Sequence, residues 1–300
     1  MIRNRLNMAL IAMVYGFALS LLWLGSHVDI RLVLPIGVAY SFVLLTNYAL
    51  IHEAAHDNLN SDPTRNRWLG VLVGFLFPVP FSMIKVTHTV HHCCNRTDHE
   101  MFDLYYPGDR KLIKLGQWYG LLAGLFWPWI PIGALVLATF PQLLRMGPYR
   151  RARTTAVLFD DFAETGVGRV RIEVVLTLVF WTVLFFVLDL SWPAVLIMYG
   201  FFAFNWSTRQ YITHAFTERN VINGALNLRV SPVMSWILLK GNWDLVHHQK
   251  PWLPWTELEH HGNGAYSPVG IWQQYLRMWR GPVLATTPSP QRPTAEPSPD

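Results

Sequence analysis

The chain is 300 residues long, 52% hydrophobic and only 14% charged, with a positive mean hydropathy. Water-soluble domains of this size rarely reach such values, so composition excludes an ordinary soluble enzyme and points to a membrane protein. The formal net charge of +5 comes from arginines scattered over loops that build no single basic face, so the expected charged partner is the bilayer and not nucleic acid.

In chain order, the apolar stretches 8–24 and 32–51 are long enough to cross about 30 Å of hydrocarbon as helices. The first, after Arg5, would also suit a secretory signal, but it stays apolar through Leu24 and no convincing cleavage site follows. Stretches 68–84 and 118–140 are interrupted by Pro78 and Pro80 and by Pro128 and Pro131, which favours kinked, re-entrant or interfacial helices. Residues 172–188 form a third span and 193–211 a fourth, the last long enough only if it continues through Asn205 toward Tyr211. Many of the 14 tryptophans, among them Trp118, Trp127, Trp129, Trp243, Trp252 and Trp255, fall near segment ends and read as interfacial anchors, with a substrate-lining role the alternative for a few. No internal repeat or fused electron-transfer domain is visible. Residues 1–285 therefore read as one domain, and the Pro-, Ser- and Thr-rich residues 286–300 as a disordered cytoplasmic tail.

Charge sets the expected topology. With a cytoplasmic N-terminus and two hairpins, 8–24 with 32–51 and 172–188 with 193–211, every Lys and Arg except Arg31 lies inside, including Arg145, Arg150, Arg151 and Arg153. The same assignment puts His52, His56, His88, His91, His92, His214, His247 and His248 on the cytoplasmic side, although they played no part in choosing it. His27 falls on the opposite side.

These histidines carry the chemistry. His52-Glu53-Ala54-Ala55-His56 ends the second span, and residues four apart share one helix face about 6 Å apart. His88-Thr89-Val90-His91-His92 repeats that geometry, with the extra histidine turned toward a second direction. Asp244-Leu245-Val246-His247-His248 has the same spacing with a carboxylate first, and His214 follows the last span alone. Neutral imidazoles suit transition metals, and eight are too many for one ion. Two ions with about four imidazoles each account for the number, and redox-active iron with dioxygen as co-substrate is the economical choice. His99, His260 and His261 share no spacing with these boxes, and the adjacent Cys93 and Cys94 form no disulfide framework, as suits a reduced cytoplasmic setting.

One rival is an intramembrane zinc protease, because His52-Glu53-x-x-His56 matches the motif in which two histidines bind zinc and the glutamate activates water. It leaves His88, His91, His92, His247 and His248 without a role. A haem-binding protein or metal transporter would place histidines within the spans, whereas these follow them.

Taken together, the three boxes, the Asn66-Arg67-Trp68-Leu69-Gly70 run and the His247-His248-Gln249-Lys250-Pro251-Trp252-Leu253-Pro254 ending resemble the membrane fatty acid desaturase and hydroxylase superfamily over roughly residues 52–258. The loop after the second box is similar to that of bacterial carotenoid-modifying and acyl-lipid members. The resemblance implies an all-α integral membrane protein of about four spanning helices, re-entrant or interfacial helices and a cytoplasmic helical cap that holds the boxes. It implies a bacterial inner membrane location with both termini and the active site cytoplasmic, and two iron ions on His52, His56, His88, His91, His92, His214, His247 and His248. The activity implied is desaturation of a fatty acyl or related lipid chain, or hydroxylation or ketolation of a lipid, alkane or carotenoid. Electrons would come from a ferredoxin or small cytochrome, with Arg150, Arg151 and Arg153 as docking points or, equally, as contacts for anionic lipid headgroups, and Glu53 and Glu257 would support ligating imidazoles. Asp244 departs from the histidine that opens the third box in many members. It would bind metal itself, hold a water in place of a ligand, or leave iron more weakly bound.

Overall fold

The computed structural model describes residues 1–145, 166–293 and 297. Its described residues form the helices α1 (Asn4–Ser26), α2 (Val33–Ala55), α3 (Pro63–Leu76), α4 (Phe81–Cys94), α5 (Lys111–Leu122), α6 (Trp129–Thr139), α7 (Val167–Val187) and α8 (Trp192–Gln210), then the shorter α9 (Pro232–Ile237), α10 (Asp244–Gln249), α11 (Trp255–Gly262) and α12 (Ile271–Met278). Two short strands, β1 (Leu104–Tyr105) and β2 (Val283–Leu284), pair in parallel.

Helices α1, α2 and α7 have 23, 23 and 21 residues and are long and apolar enough to cross a membrane. Helix α8 has 19 residues but closes on Asn205, Ser207, Thr208, Arg209 and Gln210, so it is less apolar than the other three. It compensates by packing along α2, with Tyr40, Leu44, Phe202 and Trp206 buried in the core that the spans share. At one end of the bundle the two connecting turns meet, His27 Nε2 lying 3.9 Å from Asp189 Oδ2. The histidine boxes lie at the other end, beyond α2 and α8.

The proline-broken segment is re-entrant in shape, α3 and α4 being bent by 99° about Phe77-Pro78-Val79-Pro80. Such a bend strands the last four carbonyls of α3 where water is scarce. All four are satisfied. Asn47 Nδ2 donates to Val73 O at 2.9 Å, Trp181 Nε1 to Phe75 O at 2.9 Å and Tyr199 OH to Leu76 O at 2.7 Å, while Gly74 O accepts from the backbone of Phe77 and Val79. On the far side of the bend, the buried Glu173 of α7 accepts from Ser82 N at 2.8 Å and from Ser82 Oγ at 2.7 Å, capping the start of α4. Gly70 makes the corner possible, since a Cβ there would sit 2.7 Å from the Phe81 ring.

Several sequence expectations change. Trp118, Trp243 and Trp255 are not interfacial anchors but fully buried, with Trp118 Nε1 donating to Met278 O and Trp255 Nε1 to Asn7 Oδ1. Cys93 and Cys94, adjacent in sequence, are both buried. Of the residues read as a tail, Thr287 and Ser289 contact the body of the protein through Arg219 Nη1 and Asp98 N, and residues 294–296 and 298–300 lie outside the described residues. Arg150, Arg151 and Arg153 also lie outside them.

Candidate metal centre

Four separate pieces of chain supply the site. His52 lies in the last turn of α2 and His56 at its C-cap. The bend turns α4 so that His88 Nε2 approaches His56 Nε2 to 2.6 Å. His214 follows α8, and α10 carries Asp244, His247 and His248. Asn227 fixes α10 by accepting Val246 N–H at 3.3 Å, and Asn58 fixes the segment after it by donating to Pro251 O at 3.1 Å.

The ligand-capable atoms of His52, His56, His88 and His247 lie within 4.8 Å of one another, and those of His91, His214 and His248 form a second group by the same measure. His92 lies between the groups: its Nε2 is 3.0 Å from His247 Nε2 and 3.2 Å from His88 Nε2, and its ring stacks on His248 at 4.3 Å. Asp244 joins the second group, its Oδ2 lying 3.1 Å from His214 Nε2 and 4.0 Å from His248 Nε2. The structure therefore brings together every histidine singled out in the sequence, and the adjacent pair His247-His248 is divided, one to each group.

Two outer contacts orient imidazoles in the second group. His91 Nδ1 lies 2.6 Å from Glu100 Oε2, and His214 Nδ1 donates to Gly224 O at 3.2 Å, so in each ring Nε2 is left to face the centre. Neither partner follows from motif spacing. Glu100 lies beyond a turn at Arg96, whose φ is +61°. Behind it, Arg96 Nη1 donates to Asp103 Oδ1 at 2.6 Å and to Tyr211 OH at 2.9 Å, and Tyr211 OH donates to Glu100 O at 2.7 Å. The Gly224 carbonyl also accepts from Asn95 Nδ2 and Thr217 Oγ1. A Cβ on Gly224 would meet Asn220 O at 2.3 Å and Arg96 Cγ at 2.4 Å, so only glycine fits there.

The two glutamates expected to support imidazoles do otherwise. Glu53 is buried and accepts the Trp255 N–H through Oε2 at 3.0 Å, while its Oε1 is 3.8 Å from His52 Nδ1, beyond hydrogen-bonding distance. Glu257 lies away from the boxes, with Oε1 3.4 Å from the N-terminal ammonium. His99, His260 and His261 belong to neither group.

The donor set fits metal ions. His248 Nε2 and Asp244 Oδ2 are buried without a hydrogen-bond partner, and the Nε2 atoms of His56, His88, His92 and His247 converge at distances where neutral imidazoles repel unless a proton or cation lies between them. Burial pushes His247 and His248 well below the ordinary histidine value of 6.5, so both are neutral donors at pH 7. Mostly imidazole nitrogen with one carboxylate is a transition-metal donor set.

An all-helical membrane protein with a buried, histidine-lined and metal-competent centre at one end of its spans is the class that fold and site define. Residues 29–264 match the fatty acid desaturase family, and the chain belongs to that family. A comparison with curated protein sequences gave no match.

Proposed function

We propose that this chain is an iron- and dioxygen-dependent oxidoreductase that desaturates a fatty acyl or related lipid chain. The observation that carries the proposal is the assembly of eight histidines and Asp244, from four separate segments, into two adjoining ligand groups. His52, His56, His88 and His247 would hold one iron, and His91, His214, His248 and Asp244 the other, with His92 between them. The iron pair, when bound, supplies the oxidising chemistry with dioxygen.

The protein supplies position and protection. Glu100 and the Gly224 carbonyl fix the tautomers of His91 and His214, and the burial of His92, His214, His247 and His248 keeps bulk water from the centre. Desaturation removes two hydrogens from adjacent carbons and, with two electrons and two protons, reduces dioxygen to two waters. The electrons come from an external ferredoxin or small cytochrome. The active site and both termini face the cytoplasm of a bacterial inner membrane, the side to which the basic loops assign them. Residues 1–285 act as a single catalytic domain.

Asp244 favours a second reading, hydroxylation or ketolation of a lipid, alkane or carotenoid. A carboxylate among imidazoles shifts the electronic balance between removing a second hydrogen and inserting one oxygen, with the other oxygen leaving as water. Mass spectrometry of lipid extracts from an expressing host separates the two. A product lighter by two hydrogens supports desaturation, one heavier by an oxygen supports hydroxylation, and an unchanged lipid profile with iron loaded overturns both. The protease reading has no support, because Glu53 is spent on Trp255 N–H and both motif histidines converge on His88 and His247.

A further inference from the structure

Arg209 lies in the last turn of α8, half-buried, and its side chain makes one protein hydrogen bond, Nε donating to Asn205 Oδ1 at 2.8 Å. Among the described residues no carboxylate pairs with it and no acceptor meets Nη1 or Nη2. Arg96 and Arg219, by contrast, each meet an aspartate. A half-buried guanidinium with no counter-charge and both Nη groups open is a ready partner for an anion.

Space for one is present. Arg209 lines a cavity of about 160 Å³ together with Thr208, Ser231, Met234, Trp272 and Tyr275. This is room for a carboxylate or phosphate group. The two short helices flanking the cavity, α9 and α12, turn Val233, Trp236, Trp272 and Leu276 outward, all exposed. Exposed tryptophan and aliphatic side chains beside the end of a spanning helix mark the membrane interface. A mouth with such an apolar rim suits a lipid whose head enters the cavity and whose chain stays outside.

The cavity also adjoins the metal centre. Gln210, the next residue, accepts Tyr48 OH at 3.0 Å, and Tyr48 lies one turn before His52 on α2. Ile212, another wall residue, is two residues before His214.

We propose that the Arg209 pocket binds the carboxylate or phosphate head of a single-chain lipid entering sideways from the bilayer interface. That this lipid is the substrate rests on the catalytic reading above, and it selects an acyl lipid with an anionic head over a neutral alkane or carotenoid. The binding itself does not depend on that reading.

The test is equilibrium binding to purified full-length protein in neutral detergent, followed by tryptophan fluorescence, with oleate, oleyl phosphate, oleyl alcohol and acetate as probes. Oleate or oleyl phosphate should bind about ten-fold or more tightly than oleyl alcohol, the margin expected of a charge-assisted hydrogen bond. Acetate should not compete at equal concentration. R209Q should erase the preference while leaving oleyl alcohol binding unchanged. Met234→Trp, which fills the cavity and keeps the charge, should erase it too, so the result does not rest on one variant folding. Equal binding of oleate and oleyl alcohol, an undiminished preference in both variants, or acetate binding as tightly as oleate overturns the proposal. No turnover is read, so an inactive or iron-free protein would defeat the catalytic reading and leave this result intact.

Discussion

Asp244 Oδ2 lies 3.1 Å from His214 Nε2, joining the third box to the lone histidine after α8. Of the three roles open to Asp244 in the sequence, this geometry favours direct ligation. Asp244→Ala should leave about one metal ion per chain where the wild type holds about two, because the second group is reduced to three imidazoles. Elemental analysis reads the result. Full metal content in the variant would assign Asp244 to a water-holding role.

Glu100 acts on His91 from outside the ligand group, through the 2.6 Å contact to Nδ1. Glu100→Ala should weaken binding at the second group by about 10- to 100-fold, the usual cost of removing an outer partner of a ligating histidine. Competition with a chelator checks this, and Glu100→Gln, which keeps an acceptor, should recover part of the loss. Identical chelator curves for all three proteins would remove Glu100 from the site.

Metal retention should fall on acidification. His247 and His248 have folded values below 6.5, so protonation is easier once the site opens. Their contribution is fully present above about pH 6.5 and is lost as the pH falls below it. Dialysis across pH 5 to 8 with metal analysis tests the sign, and a centre that loses metal on the alkaline side alone would contradict it.

Glu53 should prove structural. Glu53→Ala leaves the buried Trp255 N–H without its acceptor and should cost about 1–3 kcal/mol of stability, whereas Glu53→Gln keeps an acceptor and should retain turnover. Thermal melts and lipid turnover of the two variants check this. Loss of turnover in Glu53→Gln at unchanged metal content would restore a chemical role for the glutamate.

The re-entrant corner gives a stability prediction remote from the metals. Asn47→Leu uncaps Val73 O and Glu173→Leu uncaps Ser82 N–H, each at about 1–3 kcal/mol. Distant, independent sites should add when the variants are combined. Melting curves in detergent that do not move with either change would show that water satisfies these groups.

Much of this arrangement was legible in the sequence because it rests on local periodicity. The spans follow from apolar length, the break between α3 and α4 from Pro78 and Pro80, and the histidine boxes from residues spaced three and four apart. The partition of His247 and His248 was not legible, because adjacent residues on a helix point about 100° apart and only the neighbouring helices decide what each meets. Glu100 and Gly224 reach their histidines through loop geometry that no helical spacing encodes. Asn47, Trp181 and Tyr199 look like ordinary polar and aromatic residues in spans until the bend exposes the carbonyls they cap. Trp118, Trp243 and Trp255 looked interfacial because end position alone cannot separate a residue under the cap from one beside the lipid.

The metal content of the purified wild-type protein tests the di-iron assignment most directly. Elemental analysis with Mössbauer spectroscopy should find about two iron ions per chain in a nitrogen-rich environment. A single ion per chain after full reconstitution, or stoichiometric zinc that iron does not displace, would contradict it.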